Sequence, residues 1–504
     1  LVEKMSLPKP ERTTIGGSID IPRMINGLWQ LAGGHDEHVD FNVATKAMDS
    51  LILAGLDCFD MADHYGDAEL VIGEHHRSSV RKSTAFTKWC PAENGIKTFK
   101  QAEDAVDLAL SRMGQRSIAL MQYHAWDYTD DTYLHNLHHL RTLQTQGKIN
   151  HIGLTNFDAA HLELLVNSGF PIATNQVSCS VIDRRHVRGR MASVCTQHGV
   201  SILAYGTLLG GYLSKAWLDQ PEPQDPKALN WSLRKYLRFI HAAGGWAAFQ
   251  VVLQVLSTVA KKHGVSIAAV ATRYVLDLPA VAAVIVGSRL SADSDKYTAS
   301  NLAAFSIRLS EEDKALITKA QESLVDIPGD CGDEYRRPPY LTATGDLSDH
   351  LQKSEQDLEI AKAVHEGKRI EYSSGSEWEP IAGYCRAVRT GDTIRISGTT
   401  ANSPVSSIPV PGAISARSQT VAVLDIIARA IQTLGGSLSD VVRTRIIIRN
   451  PEDCEEVSRA HGWAFKCVGI RPANTLIVSG LVGSEFLVEI EAEAELGFKD
   501  VLRV

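Results

Sequence analysis

The sequence of 504 residues lacks the features that define membrane proteins and nucleic-acid-binding proteins. Its longest apolar stretches are well below the ~20 residues that a membrane-spanning helix requires. Its lysines and arginines are scattered, and a net charge of −8 with a pI near 6.1 provides no basic surface for phosphate backbones. We therefore expect a soluble protein that binds neither a membrane nor a nucleic acid.

The sequence also lacks the cysteine and histidine patterns of metal sites and disulfide frameworks. Its eight cysteines lie far apart and include no Cys-x-x-Cys pair, and we identify no signal peptide before them. No His/Cys cluster has the spacing of metal ligands in either half of the chain. These absences predict reduced thiols, a cytoplasmic location and no bound metal.

What the sequence does contain is the composition of a large globular protein, with 44% apolar and 22% charged residues. The length exceeds the size at which a single hydrophobic core stops growing, so we expect two domains. No candidate strand is followed by Gly-x-Gly-x-x-Gly, the motif that binds a dinucleotide in Rossmann folds. The sequence therefore does not support a doubly wound sheet with such a site.

The first two thirds of the chain alternate between short apolar runs and segments of helical period, which indicates βαβ units and a parallel sheet. Eight such runs can be counted, and eight parallel strands predict a closed (β/α)₈ TIM barrel. The runs are Met24 to Leu28, Asp57 to Asp60, Ala85 to Lys88, Ile118 to His124, His151 to Thr155, Thr174 to Val177, Ser201 to Tyr205 and Val284 to Val286.

The remainder of the chain has a different pattern, ββαβαββ, which predicts a smaller α+β domain with helices on one face of its sheet. The chain turns polar and acidic near Pro338, after a predicted closing helix of the barrel. We place the barrel at 1–337, a linker at 338–367 and the second domain at 368–504. Residues 213–246 are long for a loop between two barrel strands, and long insertions there commonly cover a substrate.

Four residues at or just beyond the ends of strands two, three and four form the candidate catalytic site: Asp60, Tyr65, Lys88 and His124. Catalysis in a barrel takes place at the carboxyl ends of the strands. A carbonyl group that accepts hydride needs a proton donor, and an ammonium beside a phenol favours release of the phenolic proton. Tyr65 would then be the donor, Lys88 and Asp60 would tune it, and His124 would orient the carbonyl oxygen.

Each of these four residues alone has an ordinary structural explanation, but their order and placement together resemble the aldo-keto reductase superfamily over roughly residues 12 to 337. The resemblance rests on Asp60-Met61-Ala62-Asp63-His64-Tyr65-Gly66, Phe86-Thr87-Lys88 and Gln122-Tyr123-His124-Ala125-Trp126-Asp127. It implies a nicotinamide cofactor, NADP(H) rather than NAD(H), and a small-molecule substrate.

The same resemblance assigns residues to the cofactor. Thr155 and Asn156 after strand five, and the pair Asn175-Gln176 on strand six, match the positions that bind the nicotinamide carboxamide. Tyr205 matches the platform on which the nicotinamide stacks. The other matching positions are Trp29, Gly206 and Leu208, and, around the adenosine 2′-phosphate and adenine, Gly287, Ser288, Arg289 and Asn301. A helix N-terminus with ordinary caps is the structural alternative for the segment at 286–289.

The resemblance favours an NADP(H)-dependent reductase of an aldehyde, ketone or imine, and two alternatives stay open. The barrel could work as a sugar-type alcohol dehydrogenase in the oxidative direction, or bind cofactor chiefly for regulation with little turnover. Trp29, Trp89 and Trp126 lie close to the tetrad in sequence and would form an aromatic wall for the substrate; core packing is the alternative for each.

The second domain resembles the Rid (YjgF) family across about 369–496, on Gly383-Tyr384-Cys385-Arg386-Ala387-Val388, Ile396-Ser397-Gly398 and Arg471-Pro472-Ala473-Asn474-Thr475. The resemblance implies a trimer or a multiple of three, with clefts that contain Tyr384, Asn474 and Glu489. Imine-hydrolysing members have an arginine where this chain has Asn474. Asparagine has no charge to hold a carboxylate, so we expect no 2-iminoacid deamination.

Three roles remain open for this second domain. It could be an assembly module, it could bind a small molecule or present an imine or carbonyl intermediate to the barrel, or it could retain a divergent hydrolase activity. Glu489 occupies the position of the glutamate that activates water in the hydrolysing members. We predict that assembly is its function.

Overall fold

A computed structural model describes most of the two predicted domains. The described residues are 7–32, 40–91, 97–126, 128, 132–291, 297–336, 355–403 and 410–498.

Eight parallel strands form a closed barrel, which confirms the predicted (β/α)₈ fold. Each strand pairs with the next in sequence, and the last pairs with the first, Val284 lying opposite Met24. The barrel strands are β3 (Met24–Gly27), β4 (Cys58–Asp60), β5 (Thr84–Trp89), β6 (Ile118–Tyr123), β7 (Ile149–Thr155), β8 (Ile172–Ser178), β9 (Ser201–Tyr205) and β10 (Val281–Gly287).

Helices surround the barrel and begin and end where local sequence signals place them. Thr98 and Gln101 form a capping box at the start of α3, and Gly114 ends that helix with a φ of 63°. The helices of this domain are α1 (Phe41–Leu53), α2 (Ala68–Ser78), α3 (Phe99–Met113), α4 (Thr132–Thr145), α5 (Ala159–Asn167), α6 (Arg185–Arg188), α7 (Met191–His198), α8 (Trp231–Ala242), α9 (Gly245–His263), α10 (Ile267–Leu276), α11 (Thr298–Leu302) and α12 (Glu311–Ala320).

A short hairpin that the sequence analysis did not predict closes the amino-terminal end of the barrel. Its strands are β1 (Arg12–Ile15) and β2 (Ile19–Pro22), which pair antiparallel. Ile15 and Ile21 are fully buried in one apolar cluster with Phe86 from the barrel interior. These buried side chains fill this end of the barrel, and the carboxyl ends of the strands lie at the opposite end.

The long insertion after β9 is ordered and contains α8 and the residues leading to it. Its apolar side chains, with Phe239 among them, pack with Tyr212 and Phe249 in a second core cluster. Among the described residues, no single helix is long and apolar enough to cross a membrane, although α8 and α9 together reach that length and composition across a 99° bend.

The second domain is a six-stranded sheet in the order β11-β12-β13-β16-β14-β15. Its strands are β11 (Ile370–Tyr372), β12 (Ala387–Thr390), β13 (Thr393–Thr400), β14 (Val441–Ile448), β15 (Ala473–Val478) and β16 (Val488–Glu495), and its helices are α13 (Glu355–His365), α14 (Trp378–Ala382), α15 (Ala416–Thr433) and α16 (Cys454–Cys467). Neither β11 nor α14 was predicted from the sequence, and α13 lies in the segment that was predicted to be a linker. The boundary predicted at Pro338 lies outside the described residues.

The two domains contact each other through α5 of the barrel and α15 of the second domain. The buried His161 on α5 lies between two carboxylates, with Nδ1 2.8 Å from Asp158 and Nε2 2.8 Å from Asp425 on α15. Its ring stacks on Tyr128 with 3.5 Å between centroids. Burial by itself lowers the pKa of His161, but the charges of Asp158 and Asp425 outweigh it and raise the pKa to about 9. His161 is therefore protonated at neutral pH and links the domains.

Candidate active site

The tetrad residues lie together at the carboxyl end of the barrel, inside a cavity of about 1190 Å³. Asp60 ends β4, Lys88 is on β5 and His124 directly follows β6, while Tyr65 is on the loop between β4 and α2. Neighbouring parallel strands end at the same edge, so residues that are far apart in sequence converge there.

Asp60 and Lys88 form a buried ion pair at the base of the cavity, with 2.6 Å between Oδ2 and Nζ. The other oxygen of Asp60 accepts hydrogen bonds from Gln122 at 2.7 Å and Gln176 at 2.9 Å. Lys88 also donates to the carbonyl of Met61 at 2.7 Å. A buried ion pair is held in place only when its remaining polar groups are satisfied, as they are here.

Tyr65 lies beside this ion pair, with the Lys88 ammonium 5.0 Å from the centroid of its ring. The next residue must be glycine. Gly66 has a φ of 53°, and a Cβ there would lie 2.6 Å from the carbonyl oxygen of Leu31. The backbone next to Tyr65 is therefore packed closely against the loop that contains Leu31.

His124 is buried and lines the cavity, and one of its ring nitrogens is an unexplained polar atom. Within the described part of the chain, its Nε2 has no hydrogen-bond partner, and such a buried atom requires an explanation. Burial lowers the pKa of His124 well below its usual value, and the charge of Arg336 acts in the same direction. A neutral imidazole with a proton on Nε2 can donate to a carbonyl oxygen.

Every residue assigned to the cofactor, except Asn175, lines the same cavity. They are Trp29, Thr155, Asn156, Gln176, Tyr205, Gly206, Leu208, Gly287, Ser288, Arg289 and Asn301. Two of the predicted cofactor residues are joined to each other, since the Tyr205 hydroxyl donates to Asn156 Oδ1 at 2.7 Å. The set of donors, acceptors and one aromatic platform fits a nicotinamide dinucleotide that extends from the tetrad to Arg289.

Two sequence predictions are corrected by the alternation of side chains along a strand. Trp89 does not line the cavity, because its neighbour Lys88 points inward and Trp89 points outward to pack against Tyr123 with 5.7 Å between ring centroids. Asn175 likewise points away from the barrel interior and binds the backbone of Phe157 at 2.9 Å. Asn175 therefore supports the loop that carries Asn156.

The predicted aromatic wall consists of Trp29 and Trp126 together with a residue that the sequence analysis missed, Tyr335. Trp126 lies over His124 with 4.0 Å between ring centroids, and Tyr335 meets His124 edge-on at 5.4 Å. A second missed residue is Lys235 on α8, which is buried and donates to the Tyr335 hydroxyl at 2.6 Å. The only sequence signal for Lys235 was the unusual length of the insertion that contains it.

The segment after α12 is docked across the cavity rather than leaving the barrel at once. Gly332 comes so close to the loop after β7 that a Cβ there would lie 1.9 Å from the Asn156 carbonyl oxygen. Arg336 donates to the carbonyls of Asn156 and Ala125. The buried Glu334 pairs with Arg185 at 2.6 Å. These contacts place Tyr335 in the substrate pocket.

Comparison with known proteins identifies both halves of the chain. Residues 23–322 match the sequence profile of the Aldo/keto reductase family, and residues 374–496 match the profile of Endoribonuclease L-PSP, which corresponds to the Rid family. The first match covers more than half of the 504 residues. The chain belongs to the aldo/keto reductase family. Both predicted family resemblances are thereby confirmed.

Individual relatives match different shares of the chain. The aldo-keto reductase str7 from Strobilurus tenacellus is 26% identical over 321 residues, which is 62% of this chain and 90% of that protein. Flagellar radial spoke protein 5 from Chlamydomonas reinhardtii is 37% identical over 133 residues, and the match spans only 25% of that protein. The structure of the glycerol dehydrogenase AKR11B4 from Gluconobacter oxydans covers 63% of this chain and 97% of its own at 21% identity and a TM-score of 0.51. That structure supports the fold.

Family membership supports an oxidoreductase that acts on carbonyl compounds.

One group next to the reductase tetrad has the composition of a metal site: Asp63, His64 and Cys90 offer ligand atoms within 4.8 Å of one another. Both oxygens of Asp63 already have partners, His64 Nδ1 at 2.9 Å and the Cys90 backbone at 2.9 Å. We assign this group to holding the loop that carries Tyr65.

The cleft predicted in the second domain is not assembled within one chain. Glu489 is half-buried beside Gly398, where a Cβ would lie 2.1 Å from its Oε1. Burial and the charge of Glu491 raise the pKa of Glu489, and Arg386 opposes them. The ring of Tyr384 is 5.9 Å from the Arg386 guanidinium. Tyr384, Arg386 and Glu489 therefore share one region of the domain.

Asn474 lies on the opposite face of the sheet from Glu489. Asn474 pairs with Thr444 and Glu489 with Ile447 on β14, and residues an odd number apart on a strand face opposite sides. The Asn474 amide donates to the Thr444 hydroxyl at 2.9 Å, on the side of the helices. Within one chain, Asn474 and Glu489 cannot contact the same small ligand.

Proposed function

We propose that the barrel is an NADP(H)-dependent reductase of small carbonyl compounds. The observation that carries the proposal is the unpaired, buried Nε2 of His124 in a cavity that also contains Tyr65 beside the Asp60–Lys88 ion pair. A carbonyl oxygen bound between His124 and Tyr65 would satisfy that nitrogen and receive the phenolic proton.

The chain's own residues have separate tasks in this reaction. A bound NADPH would supply the hydride to the carbonyl carbon, leaving negative charge on the oxygen. Tyr65 donates its proton to that oxygen, and the Lys88 ammonium stabilises the phenolate that remains. Asp60 keeps the ammonium in position. Because His124 is neutral, it orients the oxygen by a hydrogen bond and does not compete with Tyr65 as the acid.

The preference for NADPH rests on Arg289 and Ser288, which line the cavity. A guanidinium forms strong paired hydrogen bonds with a phosphate, and only NADP(H) has a 2′-phosphate. We expect NADPH to bind more tightly than NADH. Arg289→Ala should weaken the binding of NADPH by about tenfold or more and leave the affinity for NADH unchanged. Fluorescence titration measures both; equal affinities in the unaltered protein would contradict the preference.

A panel of aldehydes, ketones and imines assayed with NADPH tests the reductase proposal directly. Turnover that requires Tyr65 supports it. Tight NADPH binding without turnover of any compound would favour a cofactor-sensing regulatory protein instead. Faster conversion of sugar alcohols with NADP⁺ than of any carbonyl with NADPH would favour an alcohol dehydrogenase.

The eight free cysteines suit the cytoplasmic location that we propose.

We further propose that the second domain assembles the protein into trimers or multiples of three. Its helix α15 packs on barrel helix α5 and also on strands β13 and β16, so this helix lies between the barrel and one face of the sheet. Large apolar side chains remain exposed in this domain, and such surfaces mark protein contacts. They include Trp378, Ile381, Ile477, Val478 and Val482.

Light scattering on two matched variants tests this assembly. Ile477→Lys places a charge on the edge strand β15 of the second domain, whereas Leu53→Lys places the same charge at an exposed apolar position on barrel helix α1. We expect the first variant to dissociate and the second to assemble as the unaltered protein does. A monomeric unaltered protein would contradict the proposal.

A further inference from the structure

Asp425 of the second domain is bound by two side chains of the barrel. Its Oδ2 accepts hydrogen bonds from His161 Nε2 at 2.8 Å and from the Tyr133 hydroxyl at 3.0 Å. The His161 side chain is fully buried, and only 12% of the Asp425 side chain is exposed. A hydrogen bond between two charged groups is stronger than one between neutral groups. Asp425 therefore holds the His161 ring from the side of the second domain.

Tyr128 connects His161 with the segment that follows barrel helix α12. The rings of His161 and Tyr128 are stacked, with 3.5 Å between their centroids and 11° between their planes. The Arg336 guanidinium lies 4.2 Å from the centroid of the same Tyr128 ring. The face of an aromatic ring attracts a guanidinium, and more strongly away from water. Because buried side chains are closely packed, a shift of His161 displaces the ring against which Arg336 lies.

Arg336 in turn joins three segments that form the pocket. Its Nε donates to the Ala125 carbonyl at 2.8 Å, and its Nη1 donates to the Asn156 carbonyl. Ala125 directly follows His124 of the tetrad, and Tyr335 directly precedes Arg336 in the chain. The rings of His124 and Tyr335 meet edge-on with 5.4 Å between their centroids. The position of Arg336 therefore determines how the aromatic wall of the pocket faces the tetrad.

We infer that Asp425 is a positioning residue for the substrate pocket of the barrel. It acts through His161, Tyr128 and Arg336, so the second domain takes part in the choice of substrate. A small aldehyde needs only its carbonyl contacts with the tetrad, whereas an aldehyde with a large aromatic group must also pack against Tyr335. The inference rests on the proposed reductase function and adds a residue that determines its specificity.

A purely structural role for Asp425 has different consequences for the kinetics. A substitution that only lowers stability reduces the amount of folded enzyme, and it lowers the rates for all substrates by the same factor. The loss of a positioning contact displaces the wall of the pocket, which affects only substrates that reach this wall. The ratio of kcat/KM between a large and a small aldehyde therefore distinguishes the two roles.

The experiment compares 2-naphthaldehyde with acetaldehyde, which have the same reacting group and differ in the aromatic rings. Asp425→Ala should lower the naphthaldehyde-to-acetaldehyde ratio of kcat/KM about fivefold or more, mainly by raising the KM for naphthaldehyde. Asp425→Asn should keep this ratio within about twofold of the value for the unaltered protein, because asparagine retains an acceptor oxygen.

Arg417→Met is the matched control because it also removes a contact between α15 and α5. Arg417 lies 3.3 Å from Glu163, a different residue of α5 from the one that Asp425 binds. The ratio in this variant should equal that of the unaltered protein. If Asp425→Ala does not fold, His161→Gln replaces it and should lower the ratio as well, since it removes the ring that stacks on Tyr128.

Hydrogen exchange of the backbone at 332–336 tests the inference without any turnover. Two amides in this segment donate to carbonyls three residues earlier, and local opening exposes such amides to exchange. Asp425→Ala should speed their exchange, and Arg417→Met should leave it unchanged. If no aldehyde is reduced but the exchange responds in this way, the reductase proposal fails and the link from Asp425 to the pocket stands. An unchanged exchange rate, an unchanged substrate ratio or an equal change in Arg417→Met overturns the inference.

Discussion

The reductase barrel and the second domain both carry residues typical of a catalytic family, but only the barrel brings its residues together. In the barrel, Asp60, Lys88 and His124 come from three neighbouring strands and face one cavity. In the second domain, Asn474 and Glu489 come from strands of one sheet and face opposite sides. A parallel barrel collects the ends of its strands at one place, whereas a sheet divides alternate residues between two faces.

The difference shows that a matching scaffold does not by itself bring the predicted site residues of a domain to one place. The barrel site is complete in a single chain and is further closed by Tyr335. In the second domain, Asn474 occupies the position of the arginine that binds a carboxylate in the hydrolysing family members. Its amide carries no charge with which to hold a carboxylate. We therefore assign the chemistry to the barrel and expect the two halves to respond differently to substitution.

The largest effect should follow from breaking the buried ion pair of the barrel. Lys88→Met leaves Asp60 as a buried charge without its cation, which costs about 3–5 kcal/mol of stability. It also removes the charge beside Tyr65, so we expect kcat to fall about 10²-fold or more. Thermal unfolding and steady-state kinetics measure the two losses.

The double variant Asp60→Asn with Lys88→Met separates the two consequences of that substitution. Removing both charges should recover much of the stability, because no uncompensated charge remains buried, but it should recover none of the activity. An active double variant would show that the ion pair stabilises the fold and has no role in catalysis. The contrast between the barrel and the second domain would then lose its chemical basis.

A smaller effect is expected at the contact between the two domains, and it should depend on pH. Folding raises the pKa of His161 from 6.5 to about 9, which corresponds to stabilisation on the order of 3 kcal/mol. Because the folded pKa is the higher one, this stabilisation is complete below about pH 6.5 and is lost as the pH rises through 9. Burial raises the pKa of its partner Asp425, and the charge of His161 opposes that shift.

Thermal unfolding of His161→Gln at pH 6 and pH 9.5 tests this dependence. The unaltered protein should exceed the variant in melting temperature by more at pH 6 than at pH 9.5. The exposed His365 provides a matched control, since His365→Gln leaves the buried cluster intact. Identical differences at the two pH values would exclude a charged His161 between the domains.

The smallest effect is expected in the second domain. Glu489→Gln should leave the kcat of carbonyl reduction within about twofold of the value for the unaltered protein, because Glu489 belongs to the second domain and the tetrad to the barrel. The unaltered protein should not hydrolyse 2-iminoacids, since Asn474 cannot pair with their carboxylate. An ammonia-release assay measures the hydrolysis. Hydrolysis that disappears in Glu489→Gln would show that the second domain is also an active site.

The sequence predicted those parts of the molecule that depend on local pattern and on order along the chain. All eight barrel strands were predicted near their observed positions, because buried parallel strands are short, apolar and evenly interrupted by helices. The tetrad was predicted because its residues lie at strand ends, and strand ends meet in any barrel. Neither prediction required knowledge of which side chains face each other.

The parts that could not be predicted depend on distant contacts or on the facing of single residues. Lys235 meets Tyr335 across 100 positions of sequence, and nothing local to either indicates the other. Trp89 and Asn175 were predicted to face the cavity, but it is their strand neighbours Lys88 and Gln176 that do so. An error of one residue along a strand moves a side chain to the opposite face of the sheet. The hairpin of β1 and β2 has strands of only four residues, too short to show a period.

The most direct test of the central claim is the kcat of Tyr65→Phe measured alongside its affinity for NADPH. The substitution removes one oxygen atom from a cavity whose other polar groups stay in place. We expect kcat to fall about 10²-fold or more, as loss of a general acid does, with NADPH binding nearly unchanged. Turnover by Tyr65→Phe at the rate of the unaltered protein would contradict the assignment of the barrel's chemistry to this tetrad.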